Sequence, residues 1–269
     1  MTATAHILAS GPGWRVSDIV CTAGPDDPAF EEAHPQHCIA IVRGGSFRYR
    51  STQGSAVLAP GSLLLGNRGG CFECGHEHAA GDRCLAFQFE PAWLEGIVAA
   101  VPSARRMDFA QPHLPALPAL ANLVATAEIA ADAPERLEET AMRLAGAVVS
   151  VLSGAKPGIE TPTVRDQRRI TRALRHIEAH CEEALSVDAL ARQAAMSPYH
   201  FLRTFRTLVG MTPHQYVLRT RLHRAALLLR RTSQPVAGIA FDCGFGDLST
   251  FNRRFKRVMG LNPSEYRGA

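Results

Sequence analysis

Between Cys71 and Cys84 the chain reads Cys-Phe-Glu-Cys-Gly-His-Glu-His-Ala-Ala-Gly-Asp-Arg-Cys, which places three thiols and two imidazoles within fourteen residues. Side chains alternate along an extended strand, so Cys74, His76 and His78 would share one face. A turn at Gly81-Asp82 would then return Cys84 beside them. Cys74, His76, His78 and Cys84 together offer the tetrahedral sulfur and nitrogen set that suits zinc or a similar divalent metal. Two other chemistries use the same residues. Thiols with a lowered pKa respond to oxidants or electrophiles, and Arg83 is the adjacent cation that could lower one. Cysteines that stay protonated are small apolar residues, and beside polar neighbours they would line a pocket for an organic effector. His34, His37 and Cys38 begin the preceding strand pair and could reach the same pocket.

The surrounding sequence must hold these groups in place, and from about Arg15 to Phe89 it reads as short strands divided by turn residues. HCIAIVRGGSFRYR is a strand, a Gly44-Gly45 turn and a returning strand; AVLAPGSLLLGN turns at Pro60-Gly61; CLAFQF is a further strand. Several short strands at this spacing predict a β-barrel or jelly roll over residues 1–100. The character then changes to helix. Pro91 to Ala100 is a short helix candidate, and Leu117 to Ala131 and Pro134 to Leu152 form an amphipathic pair within residues 101–152. Leu120, Leu123 and Val124 on the first, and Leu137, Met142, Leu144 and Val148 on the second, suit antiparallel packing. Ser153 to Val164, rich in Gly, Pro and Thr, is the expected linker.

At 269 residues the chain exceeds what one core usually organises, and charge divides it. Residues 165–269 hold 18 basic and 8 acidic side chains, a net of +10, against 11 and 17, a net of −6, in residues 1–164. A basic C-terminal domain is what contact with nucleic-acid phosphates requires. The start, MTATAHILASGPGW, has neither the basic opening nor the apolar run of a signal peptide, and no stretch approaches a membrane span, so a cytoplasmic protein is expected. Seven cysteines in such a chain do not predict a disulfide framework, and Cys181 and Cys243 fall at helix-core positions.

In the basic domain, Ser186 caps a helix with Val187, Leu190, Ala191 and Ala194 on its apolar side. Ser197-Pro198 starts a second helix, closed by Gly210, with Phe201, Phe205 and Leu208 buried and Tyr199, Leu202, Arg203 and Arg206 outward. A long helix follows from Thr212-Pro213 to about Arg231. The pattern then repeats. Ile239, Ala240 and Cys243 lead to Gly244, and Asp247 or Ser249 caps a helix with Phe251, Phe255 and Val258 inward and Asn252, Arg253, Lys256 and Arg257 outward. Gly260 ends it, and Asn262-Pro263 opens a last short helix whose Tyr266 packs back. Each unit is a helix, a tight turn and a second helix with a basic face, which is the helix-turn-helix arrangement.

SPYHFLRTFRTLVGMTPHQYVLRTRLHRAALLL, followed by IAFDCGFGDLSTFNRRFKRVMGLNPSEYR, resembles the DNA-binding domain of the AraC/XylS family of bacterial transcription regulators. The glycine, the two phenylalanines, the Arg-x-Phe-Lys and the Pro-x-x-Tyr-Arg fall in register over the last hundred residues. The resemblance implies two helix-turn-helix units that enter successive major grooves on one face of double-stranded DNA. Tyr199, Leu202 and Arg203 in the first, and Ser249, Thr250 and Arg253 in the second, would then face base edges, with Arg206, Asn252 and Lys256 beside them. The strand-rich half resembles the cupin-like sensing domain that often precedes this domain, and His76-x-His78 with Asp82 resembles part of the cupin metal motif, Asp standing for the usual Glu. In that resemblance such a helical pair often forms a homodimer interface, and the alternative, compatible with it, is that the pair covers the barrel; RNA polymerase is a partner if the protein activates, and the chain is not expected to be an enzyme. The fold class expected is α+β, a cupin-like β-barrel with a helical pair followed by an all-α domain. The reading from another class is a cupin-type metalloenzyme whose basic domain localises it on DNA.

Overall fold

Period-two and fully apolar stretches form β1 (Ala3–Gly11), β2 (Trp14–Cys21), β3 (Glu31–Ala33), β4 (His37–Gly45), β5 (Phe47–Ser51), β6 (Gly54–Leu58), β7 (Leu63–Gly66), β8 (Cys71–Gly75) and β9 (Asp82–Phe89). The structure, a computed structural model, describes residues 3–27, 31–76, 81–102, 104–154 and 162–268. The chain divides into two units, Met1–Ile159 and Glu160–Ala269. In the first, α1 (Pro91–Ala100), β10 (His113–Leu114), α2 (Pro118–Ala130) and α3 (Leu137–Leu152) follow the strands, with a single 3-10 turn at Pro134–Arg136.

The strands make two antiparallel sheets, ordered β1-β2-β9-β4-β7-β10 and β3-β8-β5-β6. Gly44-Gly45 therefore does not close a paired hairpin, as the local pattern suggests. β4 pairs with β7 and β9, whereas β5 crosses to the other sheet and pairs with β6 and β8. Cys38, Ala40, Val42, Leu64, Cys84 and Ala86 of the larger sheet meet Phe47, Tyr49 and Leu58 of the smaller one in a core between them. The continuous apolar run of β4 has a simple cause. Its other face, Ile39 and Ile41, is also buried, so no polar residue alternates in. Helix α3 packs on α1, α2, β1 and β2.

Leu120, Leu137, Met142, Leu144 and Val148 are buried within this unit. Helix α3 packs on α2 and on β1 and β2, so within this unit the helical pair covers the sheet. The expected linker, 153–164, falls mostly on residues outside those described.

The second unit holds α4 (Val164–Ala179), α5 (Val187–Gln193), α6 (Pro198–Val209), α7 (Pro213–Arg231), α8 (Val236–Asp242), α9 (Leu248–Met259) and α10 (Pro263–Gly268). Ser186, Ser197, Thr212 and Asp247 cap α5, α6, α7 and α9 through their side chains. Helix α4 begins inside the expected linker, because Thr163 and Asp166 close a capping box. The capping pair and the buried Ile170, Ala173 and Ile177 at helical spacing are the sequence signal for it. Leu222, Ala225, Ala226 and Leu229 of α7 form one core with Ile239, Ala240, Cys243, Phe245, Phe251 and Phe255. Tyr266 packs edge-on against Phe255 at 5.3 Å and lies under Arg230.

Between α5 and α6 the turn passes through Ala195 with φ of 51°. A left-handed residue with a Cβ costs about 1–2 kcal/mol, and glycine in its place adds some unfolded-chain entropy. Ala195→Gly is therefore expected to stabilise the protein by about 0.5–1 kcal/mol. A urea midpoint that stayed put or fell would show that the neighbours already relieve the strain.

Candidate nucleic-acid interface and barrel cavity

Helices α6 and α9 occupy equivalent places in the two helix-turn-helix units, and each shows one buried and one polar side. On α9, Ser249, Asn252, Arg253 and Lys256 are exposed and Thr250 is half-buried, while Phe251 and Phe255 are fully buried. Asp247, not Ser249, is the cap: its Oδ1 accepts the Thr250 backbone N–H at 2.7 Å. That bond, foremost, holds the Asp247 carboxyl below its ordinary pKa. Ser249 and Thr250 thus lie in the first helical turn, the part of a recognition helix that reaches base edges. Val258, expected inward, is 56% exposed, and Met259 takes its place against the core. The reason is that α9 is flanked by α8 and α10, which shifts its apolar seam toward the Met259 side.

On α6, Arg206 is exposed, and Tyr199 and Arg203 are half-buried. Leu202 does not face outward. It is 2% exposed, while Leu208, expected inward, is 37% exposed. Helix α6 packs against α4, α5 and α7, so its buried stripe widens to Phe201, Leu202, Thr204 and Phe205. His200 turns toward Asp166 of α4, with 3.6 Å between Nε2 and Oδ1. The loop after α4 is held against α7. Arg221 on α7 donates to the backbone carbonyls of Cys181 and, at 2.7 Å, Glu183, and Arg224 pairs with Glu182 at 2.7 Å.

The barrel contains a cavity of about 180 Å3, lined among others by Ile19, Cys21, His34, Phe72, Cys74 and Cys84. His34 Nε2 lies 2.8 Å from the Tyr49 hydroxyl, and its ring stacks on Phe72 at 4.2 Å. Burial pushes the His34 imidazole down to about 4, so it is neutral at pH 7. Cys38 also lines the cavity, but His37, one step along β4, faces the other way, toward Asp108 and Phe109.

Of the ligand set expected from local spacing, the described members Cys74, His76 and Cys84 do not form a group of mutually close ligand atoms. His78 lies outside the described residues. Strand β8 ends at Gly75, so His76 leaves the alternation that would have set it beside Cys74. Its Nε2 meets Asp82 Oδ2 at 2.7 Å instead, and its ring stacks on Phe47. Pairing of β2 with β9 sets Cys21 opposite Asp82. Among the described residues, Cys21, His76 and Asp82 form the group whose ligand atoms all lie within 4.8 Å of one another. Cys84 stands one step back and donates to Asp82 Oδ1 at 3.4 Å. Nothing local points to Cys21, because only strand pairing brings β2 to this place.

The thiols flanking this group are not activated. Burial, reinforced by the Asp82 charge, raises both Cys74 and Cys84, and burial pushes Cys38 up to about 12. Arg83 does not offset this, since its guanidinium holds Asp18 at 2.7 Å. That pair keeps the Asp18 carboxyl below its usual pKa.

Residues 19–145 match the AraC-like ligand binding domain family, and residues 190–269 match a helix-turn-helix domain family. The chain is 35% identical over 101 residues to the regulatory protein SoxS of Salmonella typhimurium, covering 38% of this chain and 94% of SoxS. It belongs to the AraC family of transcription regulators. A further match is to the probable transcriptional regulator LumQ of Photobacterium leiognathi, 37% identical over 91 residues; the chain spans 37% of LumQ, using 34% of its own length. An AraC-type DNA-binding domain structure from Chromobacterium violaceum is 32% identical with a TM-score of 0.37, over 39% of this chain and 95% of that one. The AraC-family assignment agrees with the α+β organisation, a strand-rich cupin-like half followed by helix-turn-helix units. Among the described residues no helix is long and apolar enough to cross a membrane.

Proposed function

We propose that this AraC-family chain is a sequence-specific regulator of transcription that reads operator DNA through α6 and α9 and answers to a small effector held in the barrel cavity. The observation that carries the reading is the pair of capped helix-turn-helix units joined by one long helix, each with a basic outer face. Tyr199, Arg203 and Arg206 are the contact residues of the first unit, and Ser249, Thr250, Asn252, Arg253 and Lys256 those of the second. Leu202 is left out because it is core. The net charge of +10 over residues 165–269 supplies the phosphate attraction that any such contact needs.

A homodimer fits the same reading, with the outward face of α2 as its contact, where Ile129 is 64% exposed. RNA polymerase is a further partner if the regulator activates. The effector would enter between the two sheets, beside His34 and Tyr49, and act by changing how the barrel holds its dimer mate or the DNA-binding unit.

Arg203→Ala and Arg253→Ala test the reading. Each is expected to cost about 1–3 kcal/mol of base discrimination, at positions about 10 base pairs apart. Footprints of each variant over a set of point-substituted operators measure this. An equal loss on every sequence would make the two arginines phosphate contacts, and no binding by the unaltered protein at low salt would end the proposal.

A further inference from the structure

The structure assigns a binding site for a divalent metal ion of the zinc class to Cys21, His76 and Asp82, at the end of the barrel cavity. The inference goes beyond the regulator reading, and it is tested on the protein without DNA.

Three different strands bring the ligands together. Cys21 ends β2, Asp82 begins β9 in register with it, and His76 follows the end of β8 in the opposite sheet. The approach is close. Gly45 of β4 pairs with Asp82, and a Cβ at Gly45 would lie 2.3 Å from the Gly81 carbonyl oxygen. Side chains of His76 and Asp82 are 3% and 7% exposed, so the group is buried as a unit.

One sulfur, one imidazole nitrogen and one carboxylate oxygen are the donors zinc takes, and three protein ligands leave a fourth position open. Ordinary bond lengths in a tetrahedral site separate ligand atoms by about 3.3–3.6 Å. Here His76 Nε2 and Asp82 Oδ2 stand at 2.7 Å, and the three ligand atoms all lie within 4.8 Å of one another, close enough for one ion to reach all three after side-chain adjustment. Small side-chain rotations close the set.

The surroundings also fit. Metal ligands are held by an outer layer of hydrogen bonds. Cys84 donates to the other Asp82 oxygen at 3.4 Å, and Phe47 stacks on the His76 ring. Cys21 and Asp82 line the cavity, so the open position faces the space that an effector would fill. On binding, the ion displaces the proton of the Cys21 thiol, which leaves to solvent, and the proton held between His76 Nε2 and Asp82 Oδ2, which moves to His76 Nδ1 or to solvent and frees the Nε2 lone pair for the metal. Affinity must therefore fall as pH is lowered, when thiolate and imidazole take up protons.

The experiment is a titration of the full-length protein, stripped by chelator, with zinc ion alone against a chromophoric competitor. One equivalent per chain is expected. Cys21→Ser, His76→Ala and Asp82→Asn should each weaken binding by more than about 100-fold, and Cys84→Ser by about 10–100-fold with the stoichiometry unchanged, as befits an outer hydrogen-bond partner. Cys71→Ser, at an exposed thiol on the far end of β8, should bind like the unaltered protein. Thermal melts confirm that each variant folds, and if His76→Ala does not, the near-isosteric Cys21→Ser decides alone. An unaltered protein that takes up no zinc, or a folded Cys21→Ser variant with undiminished affinity, overturns the assignment. Either result leaves the DNA-binding proposal standing, because operator binding is measured separately.

Discussion

Replacing Gly244 by alanine is expected to cost about 4 kcal/mol or more and to abolish the second helix-turn-helix unit. Gly244 has φ of 82°, which by itself costs a residue with a Cβ about 1–2 kcal/mol. Space is the larger problem. The added Cβ would lie 2.4 Å from the Glu182 carbonyl oxygen and under 3 Å from its Cα and carbonyl carbon, all backbone atoms. That loop cannot easily retreat, because Arg221 and Arg224 hold Cys181, Glu182 and Glu183 against α7. The substitution thus pits the turn of the second unit against the frame it shares with the first. Gly246→Ala is the control, since a Cβ there meets nothing within 4 Å, and it should change stability by no more than about 0.5 kcal/mol. Urea unfolding of the full chain with operator binding measured in parallel checks both. A Gly244→Ala protein that keeps its stability would mean that the loop moves at little cost.

Leu144→Glu should unfold the barrel-containing unit, at a cost of about 4–5 kcal/mol. Leu144 is 0% exposed on α3, the helix that packs on α1, α2, β1 and β2. A carboxylate there loses the apolar contacts and leaves a charge in the core with no partner to offset it. Ile129→Glu is the informative contrast, for Ile129 is on the outward face of α2 and its replacement should leave the fold intact. If the proposed homodimer forms through that face, sedimentation should then show a monomer. A stable, folded Leu144→Glu protein would place Leu144 at an interface between chains instead of in a core.

The helices of both halves are legible from local signals. Ser186, Ser197, Thr212 and Asp247 mark helix starts, and Gly210 and Gly260 mark helix ends with φ near 80°. Phenylalanines four apart mark the buried sides of α6 and α9. The charge division into a basic and an acidic half is a property of the chain itself. All of these are fixed by residues within a few positions of one another, which is why a sequence suffices.

What the tertiary structure decided depends on contacts between distant residues. Whether α2 and α3 cover a barrel or face another chain cannot be read from an apolar stripe, since either surface would bury it; in the structure α3 packs on α1, β1 and β2, and Leu144 is fully buried. Leu202 and Val258 sit at the margins of their stripes, and the neighbours α5 and α10 determine which margin is covered. In the Cys71 to Cys84 segment the residue types were legible, but the grouping was not. Alternation along one strand points to Cys74, His76 and His78, with Cys84 returned by a turn, whereas the end of β8 at Gly75 and the pairing of β2 with β9 deliver Cys21, His76 and Asp82. Strand order is set by the burial of whole sheet faces, a non-local quantity, and so the ligands that a sheet gathers are chosen by topology and not by spacing.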